Sequence, residues 1–230
     1  MLGIIGAMEE EVAGLKEKMV VEQTIQRASM EFLKGSLEGK PVVVVRCGIG
    51  KVNAAICTQI LADEFHVDAI VNTGIAGSLK NEINIGDIVL STDTMQHDMD
   101  ATGFGYEYGI IPRMETSCFQ SDEKLMALAK ECCERVNPDI SVFTGRVVSG
   151  DQFISDKAKK DWISEHFQGF CTEMEGAAIA QAAYLNQVPF LIIRAISDKA
   201  DNSAQMDYAE FERKAIIHSV RLMTEIAKLW

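Results

Sequence analysis

The 230-residue chain gathers its most unusual polar residues into a few short groups. Glu9, Glu10 and Glu11 follow Gly6-Ala7-Met8, Glu173 and Glu175 flank Met174, and Arg194 interrupts the otherwise apolar run Pro189 to Ile196, with Ser197-Asp198 just beyond it. Carboxylates set around a reacting centre can donate or accept protons and can stabilise developing positive charge. An arginine inside an apolar run needs a buried carboxylate or a bound anion. Each group also has a plainer account. Glu9 and Glu10 fit a solvated helix start, where acids favour the dipole, and Glu11 fits either that or a site. Of Glu173 and Glu175, at most one is expected to face a pocket. Asp198 could cap a turn through its own side chain. For Arg194 a structural ion pair and a site role are compatible.

Several tempting motifs fail. Cys47-Gly48-Ile49-Gly50-Lys51 is not a phosphate-binding P-loop, because Val45 stands where the first glycine belongs. It is not a dinucleotide fingerprint, because Asn53 takes the place of the third glycine. No G-x-S-x-G or H-E-x-x-H occurs. The four histidines are scattered, and His97 with Asp98 and Asp100 reads as a hydrogen-bonded loop rather than a metal site. Phe104, Tyr106 and Tyr108, in a Gly-rich loop, fit a ligand lid, a subunit interface or local packing.

The elements that must position these groups alternate between two periods. Leu2 to Ile5, Val42 to Val45, Ala69 to Val71, Asp87 to Leu90, Val142 to Val148, Gly169 to Thr172 and Pro189 to Ile196 read as strands. Asn53 to Phe65, Leu125 to Val136, Gly176 to Leu185 and Tyr208 to Leu229 have helical spacing, and Glu22 to Leu37 reads as a hairpin. Continuous apolar strands followed by helices predict strands covered on both faces. The expected fold is a single-domain three-layer α/β sandwich, residues 1–230, with a mixed, mostly parallel central sheet flanked by helices. Ligands of such sheets bind beyond the carboxyl ends of the strands, and that is where the chemical groups fall.

Composition narrows the function classes. Thirty-four acids against 22 bases give a formal net charge of -12. That excess opposes a nucleic-acid partner and an anionic membrane surface. No apolar run approaches the roughly 20 residues of a membrane span, and no export signal is expected from Met1 to Glu11. Six cysteines without a C-x-x-C pair read as free thiols, which points to a cytoplasmic location.

Taken together, Gly3 to Glu11, Cys47 to Lys51, Asn72 to Gly77, His97 to Asp100 with Phe104 to Gly109, Ser149 to Ile154, Glu173 to Glu175 and Arg194 to Asp198 closely resemble the bacterial 5'-methylthioadenosine/S-adenosylhomocysteine nucleosidases of the purine nucleoside phosphorylase superfamily. The resemblance runs in register from Met1 to about Leu229. It implies hydrolysis of the N-glycosidic bond of adenine thionucleosides, with 5'-deoxyadenosine a further expected substrate, in methionine salvage. It also implies a homodimer, no cofactor and no metal. Asp198 would be the general acid on adenine N7, held protonated by a raised pKa, and Glu11 would activate water with Arg194 nearby. Glu175 and Met174 would hold the ribose. Phe153 and Ile154 would frame the adenine, and Ala7, Ala76, Gly77 and Ser197 would also bind substrate. Met8, Ile49 and Tyr208 would line the sugar and 5' region, with Phe104 and Pro112 reaching across the dimer. Ile75 and Tyr208 depart from the common residues of the family, which bears on the 5' substituent. The rivals are a phosphorylase, a nucleosidase for another purine nucleoside such as aminodeoxyfutalosine, and an inactive nucleoside-binding protein.

Overall fold

The fold is taken from a computed structural model, which describes residues 1–201 and 204–230, with side chains omitted for 204–210. One sheet of ten strands runs through the molecule. Its centre is parallel: β4 (Lys40–Arg46), β1 (Leu2–Gly6), β5 (Ala69–Ser78) and β10 (Phe190–Asp198) lie side by side in that order. The expected hairpin forms β2 (Val20–Arg27) and β3 (Met30–Leu37), added antiparallel to β4. Beyond β10 come β6 (Ile88–Gln96), β8 (Val142–Ser149) and β9 (Cys171–Glu173), and the two-residue β7 (Phe119–Gln120) pairs with β6.

Alternation along the strands separates two cores. Val43 and Val45 of β4 join Ala54, Cys57 and Leu61 of α2 (Lys51–Asp63) and Ile179 and Ala183 of α5 (Gly176–Leu185). Val42 and Val44 face the other way, with Val12 and Leu15 of α1 (Glu9–Lys16), Leu125 and Ala129 of α3 (Glu123–Val136) and Leu222 and Ile226 of α6 (Ala204–Leu229). That is the expected three-layer sandwich. A third apolar side chain set, Ile163 and Phe167 of α4 (Lys157–Phe167), packs on Leu79 and Val148. Sequence periodicity did not single out α4, because charged residues dominate its first two turns.

The sheet is forked where the chemistry sits. β10 follows one edge of β5 from Ile70 to Gly77. The other edge is shared: β1 pairs with Ala69 to Asn72, and β9 pairs antiparallel with Gly77 and Ser78. Between these partners, the middle of β5 has no strand beside it on that edge. Its backbone groups must find other partners there, and the gap opens toward the carboxyl ends of β1, β5 and β10.

Candidate active site

Glu11 fills the gap left by β1. It stands on the first turn of α1, and one carboxylate oxygen accepts the Ala7 and Met8 amides at 2.7 and 3.0 Å. The other accepts the Ile75 amide at 3.2 Å, which the departing strand has left without a ladder partner. The residue is therefore both a helix-start acid and a buried group of the gap. Burial raises its pKa, against the opposing pull of Arg194 and of the three amides.

Arg194 lies fully buried on β10, in register with Gly74 of β5. The glycine is required at that point. A β-carbon on Gly74 would stand 2.7 Å from a Glu11 oxygen and 3.4 Å from Arg194 Nη1. The guanidinium donates to Glu173, to the Asn72 side chain and to the Ile193 carbonyl. Glu173 completes its shell with the Ser149 hydroxyl and the amides of Glu175 and Gly176. Burial alone would raise the pKa of Glu173, but Arg194, Ser149 and the amides hold it below the usual value. Glu173 is the partner that a buried arginine demands, and the demand of Arg194 was the sequence signal for it.

Glu175 opens α5 and accepts the Gly50 amide at 2.8 Å. Its surroundings supply no cation of its own, and burial together with the charge of Glu173 pushes its carboxyl up to about 8. The expectation that only one of Glu173 and Glu175 faces a pocket is corrected here, since both border the same cavity. Residues two apart on an extended strand share a face, and the turn into α5 keeps the second one there. Asp198 ends β10. It accepts the Ser197 hydroxyl at 2.8 Å and the Ala200 amide at 2.7 Å, and a β-carbon on Gly77 would fall 2.7 Å from it.

These side chains surround one cavity of about 460 Å³, the size of a small-molecule site. The β1–α1 turn contributes Ala7, Met8 and Glu11, the loop before α2 contributes Ile49, and β5 contributes Ile75, Ala76 and Gly77. Phe153, Met174, Glu175, Ser197 and Asp198 close it, together with Thr172 and Glu173, which sequence reasoning had not placed in the site. Among the described lining residues none is Lys, Arg or His. Arg194 stands behind the wall rather than on it, and Ile154 is buried next to the lining. Phe104, 88% exposed, and Pro112 do not reach the cavity of their own chain. The side chain of Tyr208 lies outside the described residues. His97 is buried and neutral, its pKa pushed down to about 4 by burial, while Asp98 and Asp100 serve loop hydrogen bonds.

The forked sheet and its cavity of carboxylates define the class. The sequence model of the Phosphorylase superfamily matches residues 1–228, and the chain belongs to that superfamily. Within it, the 5'-methylthioadenosine/S-adenosylhomocysteine nucleosidases are its near relatives. The chain is 42% identical over 228 residues to the one from an Exiguobacterium species, covering 99% of this chain and 97% of that protein. The crystal structure of the Neisseria meningitidis nucleosidase with methylthio-immucillin-A superposes with a TM-score of 0.95 at 39% identity, covering 100% of this chain and 99% of that one. The Colwellia psychrerythraea nucleosidase, solved with adenine, gives 0.94 at 40% identity over 98% and 93%.

Proposed function

We propose that this chain hydrolyses the N-glycosidic bond of 5'-methylthioadenosine and S-adenosylhomocysteine, releasing adenine and the 5-thio-substituted ribose. The observation that carries the proposal is the convergence of Glu11, Glu175 and Asp198 on one cavity without a lining cation. Near full-length similarity to nucleosidases supports it.

Breaking the C1'–N9 bond leaves an oxocarbenium-like sugar and an electron-rich base. In this reading Asp198 delivers a proton to adenine N7, so the base leaves neutral. Glu11 takes a proton from the attacking water while its oxygen joins C1'. A carboxylate whose pKa is raised by burial is a better base than an ordinary one. Glu175 hydrogen-bonds the ribose hydroxyls, and the Glu11 carboxylate offsets the positive charge of the sugar. Met8, Ile49, Met174 and Phe153 supply apolar walls to the sugar, the 5' substituent and the purine ring. Arg194 stays paired with Glu173 and orients the carboxylates from behind.

Two broader readings accompany this one. The chain is proposed to work as a homodimer, supported by Phe104 and by Val52, 70% exposed, and Ile56 on α2. A cytoplasmic location is supported by six free cysteines; among the described residues, no helix is long and apolar enough to cross a membrane.

The deciding experiment measures adenine release from methylthioadenosine, S-adenosylhomocysteine, 5'-deoxyadenosine and aminodeoxyfutalosine in phosphate-free buffer, and identifies the sugar. Free thioribose without added phosphate is expected. A sugar 1-phosphate formed only with phosphate would make the chain a phosphorylase, and binding without release would make it a nucleoside-binding protein.

A further inference from the structure

Behind the cavity, three residues from three elements close a ring of hydrogen bonds. The backbone N–H of Lys51, the first residue of α2, donates to the Asp151 carboxylate at 2.8 Å. The Asp151 N–H donates to Asp98 at 2.9 Å, and Lys51 Nζ donates to the other oxygen of Asp98 at 2.6 Å. Asp98 follows β6, and Asp151 follows β8. Lys51 Nζ also reaches Gln96 at 2.9 Å, which anchors it to the end of β6.

The ring has a local cause. Gly50 is the N-cap of α2, with φ at +97°, and it has no side chain to satisfy the helix start. Asp151, a hundred residues away, supplies that missing acceptor. The neighbouring Gly50 amide donates to Glu175 at 2.8 Å. On the other side of the ring, Asp151 lies two residues before Phe153, and the Gly150 amide is tied to the Glu173 carbonyl at 3.1 Å. The ring joins the loop that holds Glu175 to the loop that carries Phe153. None of its three side chains lines the cavity.

We propose that Lys51, Asp98 and Asp151 are positioning residues that fix the spacing between Glu175 on the sugar side of the site and Phe153 on the base side. The inference rests on the nucleosidase reading for its substrate, but not for its mechanics. A part-buried lysine–carboxylate bridge, with side chains 19% and 14% exposed, contributes less to global stability than a fully buried one. Its removal instead lets two loops drift apart, so that the sugar and base sides of the site no longer fit one substrate together and its binding weakens.

Lys51→Met, Asp98→Asn and Lys51→Arg test this with two readouts. Backbone amide exchange, followed by mass spectrometry, is expected to speed up together at 47–54 and at 149–155 in Lys51→Met and in Asp98→Asn, and to return toward the parent in Lys51→Arg. Adenine release from methylthioadenosine should show KM raised about tenfold or more in Lys51→Met, with kcat changed less than about threefold and the Tm within about 2 °C of the parent. Exchange that rises only at 47–54, or KM within twofold of the parent, would overturn the proposal. So would a loss of activity that follows Tm and is not restored by Lys51→Arg. If the parent protein releases no adenine, the nucleosidase reading fails, and the exchange experiment still decides the coupling of the two loops.

Discussion

Replacing Glu175 by Gln should change how folding stability depends on pH. The Glu175 carboxyl is pushed up from 4.5 to about 8, by burial first and then by the charge of Glu173. A carboxyl that holds its proton more tightly in the folded chain favours the fold at low pH. Below about 4.5 the group is protonated in both states and the contribution is fully present. It is lost as pH rises through about 8, above which the fold carries an uncompensated buried anion. The interval between 4.5 and about 8, at about 1.36 kcal/mol per pH unit, bounds the effect at roughly 5 kcal/mol. Gln keeps the shape and an oxygen for the Gly50 amide, and it removes the titration. Urea unfolding of parent and variant at pH 5, 6.5 and 8.5 reads the titration of Glu175 together with its effect on the neighbouring Glu173 and Glu11. The variant is expected to gain on the parent by several kcal/mol between pH 5 and 8.5, with m unchanged. The same variant should lose affinity for the ribose, so stability and activity move in opposite directions. A stability difference flat to within about 0.5 kcal/mol over that range would refute the reasoning.

Three further outcomes are expected. Asp198→Asn should slow adenine release by about 10² to 10⁴ with little change in fold, measured as single-turnover release; a near-parental rate would remove Asp198 as the acid. Gly74→Ala places a methyl group 2.7 Å from a Glu11 oxygen and should cost on the order of 10² in kcat/KM. The crystal structure of that variant should show Glu11 detached from the Ile75 amide. Glu173→Gln removes the ion-pair partner of the buried Arg194 and should destabilise the fold by about 3–5 kcal/mol, read as a lowered urea midpoint.

Much of the architecture was legible because buried strands leave a coarse signature. Val42 to Val45 is apolar on both faces, and the structure gives alternate valines to two separate cores. The end of β10 was legible through Arg194, since a charge inside an apolar run is hard to explain without a partner. What the residues could not show is the fork of β5. Two strands sharing one edge of a third is a matter of register over long sequence separations, and neither β1 nor β9 carries a local mark of where it stops pairing. The place of Glu173 was hidden for the same reason, because its role depends on Arg194, Ser149 and the start of α5 meeting in space. The ring of Lys51, Asp98 and Asp151 was equally invisible, although Asp98 and Asp151 sit in motifs that stood out in the sequence. Only the short distance between the two loops turns them into one device.

The arrangement of charge also bears on the choice between water and phosphate. Four carboxylates, Glu11, Glu173, Glu175 and Asp198, border the cavity, and one buried arginine stands behind it. That arginine makes its ion pair with Glu173. Glu11 and Glu175 respond to burial by binding protons more tightly than usual, which marks the cavity as poor in compensating positive charge. A sugar that becomes cationic in the transition state relieves this imbalance, so attraction grows as the reaction proceeds rather than when substrate first binds. A phosphate dianion entering beside Glu11 would worsen it, and no lining lysine, arginine or histidine among the described residues is available to offset the cost. A neutral water molecule meets no such penalty and can be held by Glu11 at the mouth of the fork. In the proposed reaction, the feature that would stabilise the sugar cation is thus the one that would select the nucleophile.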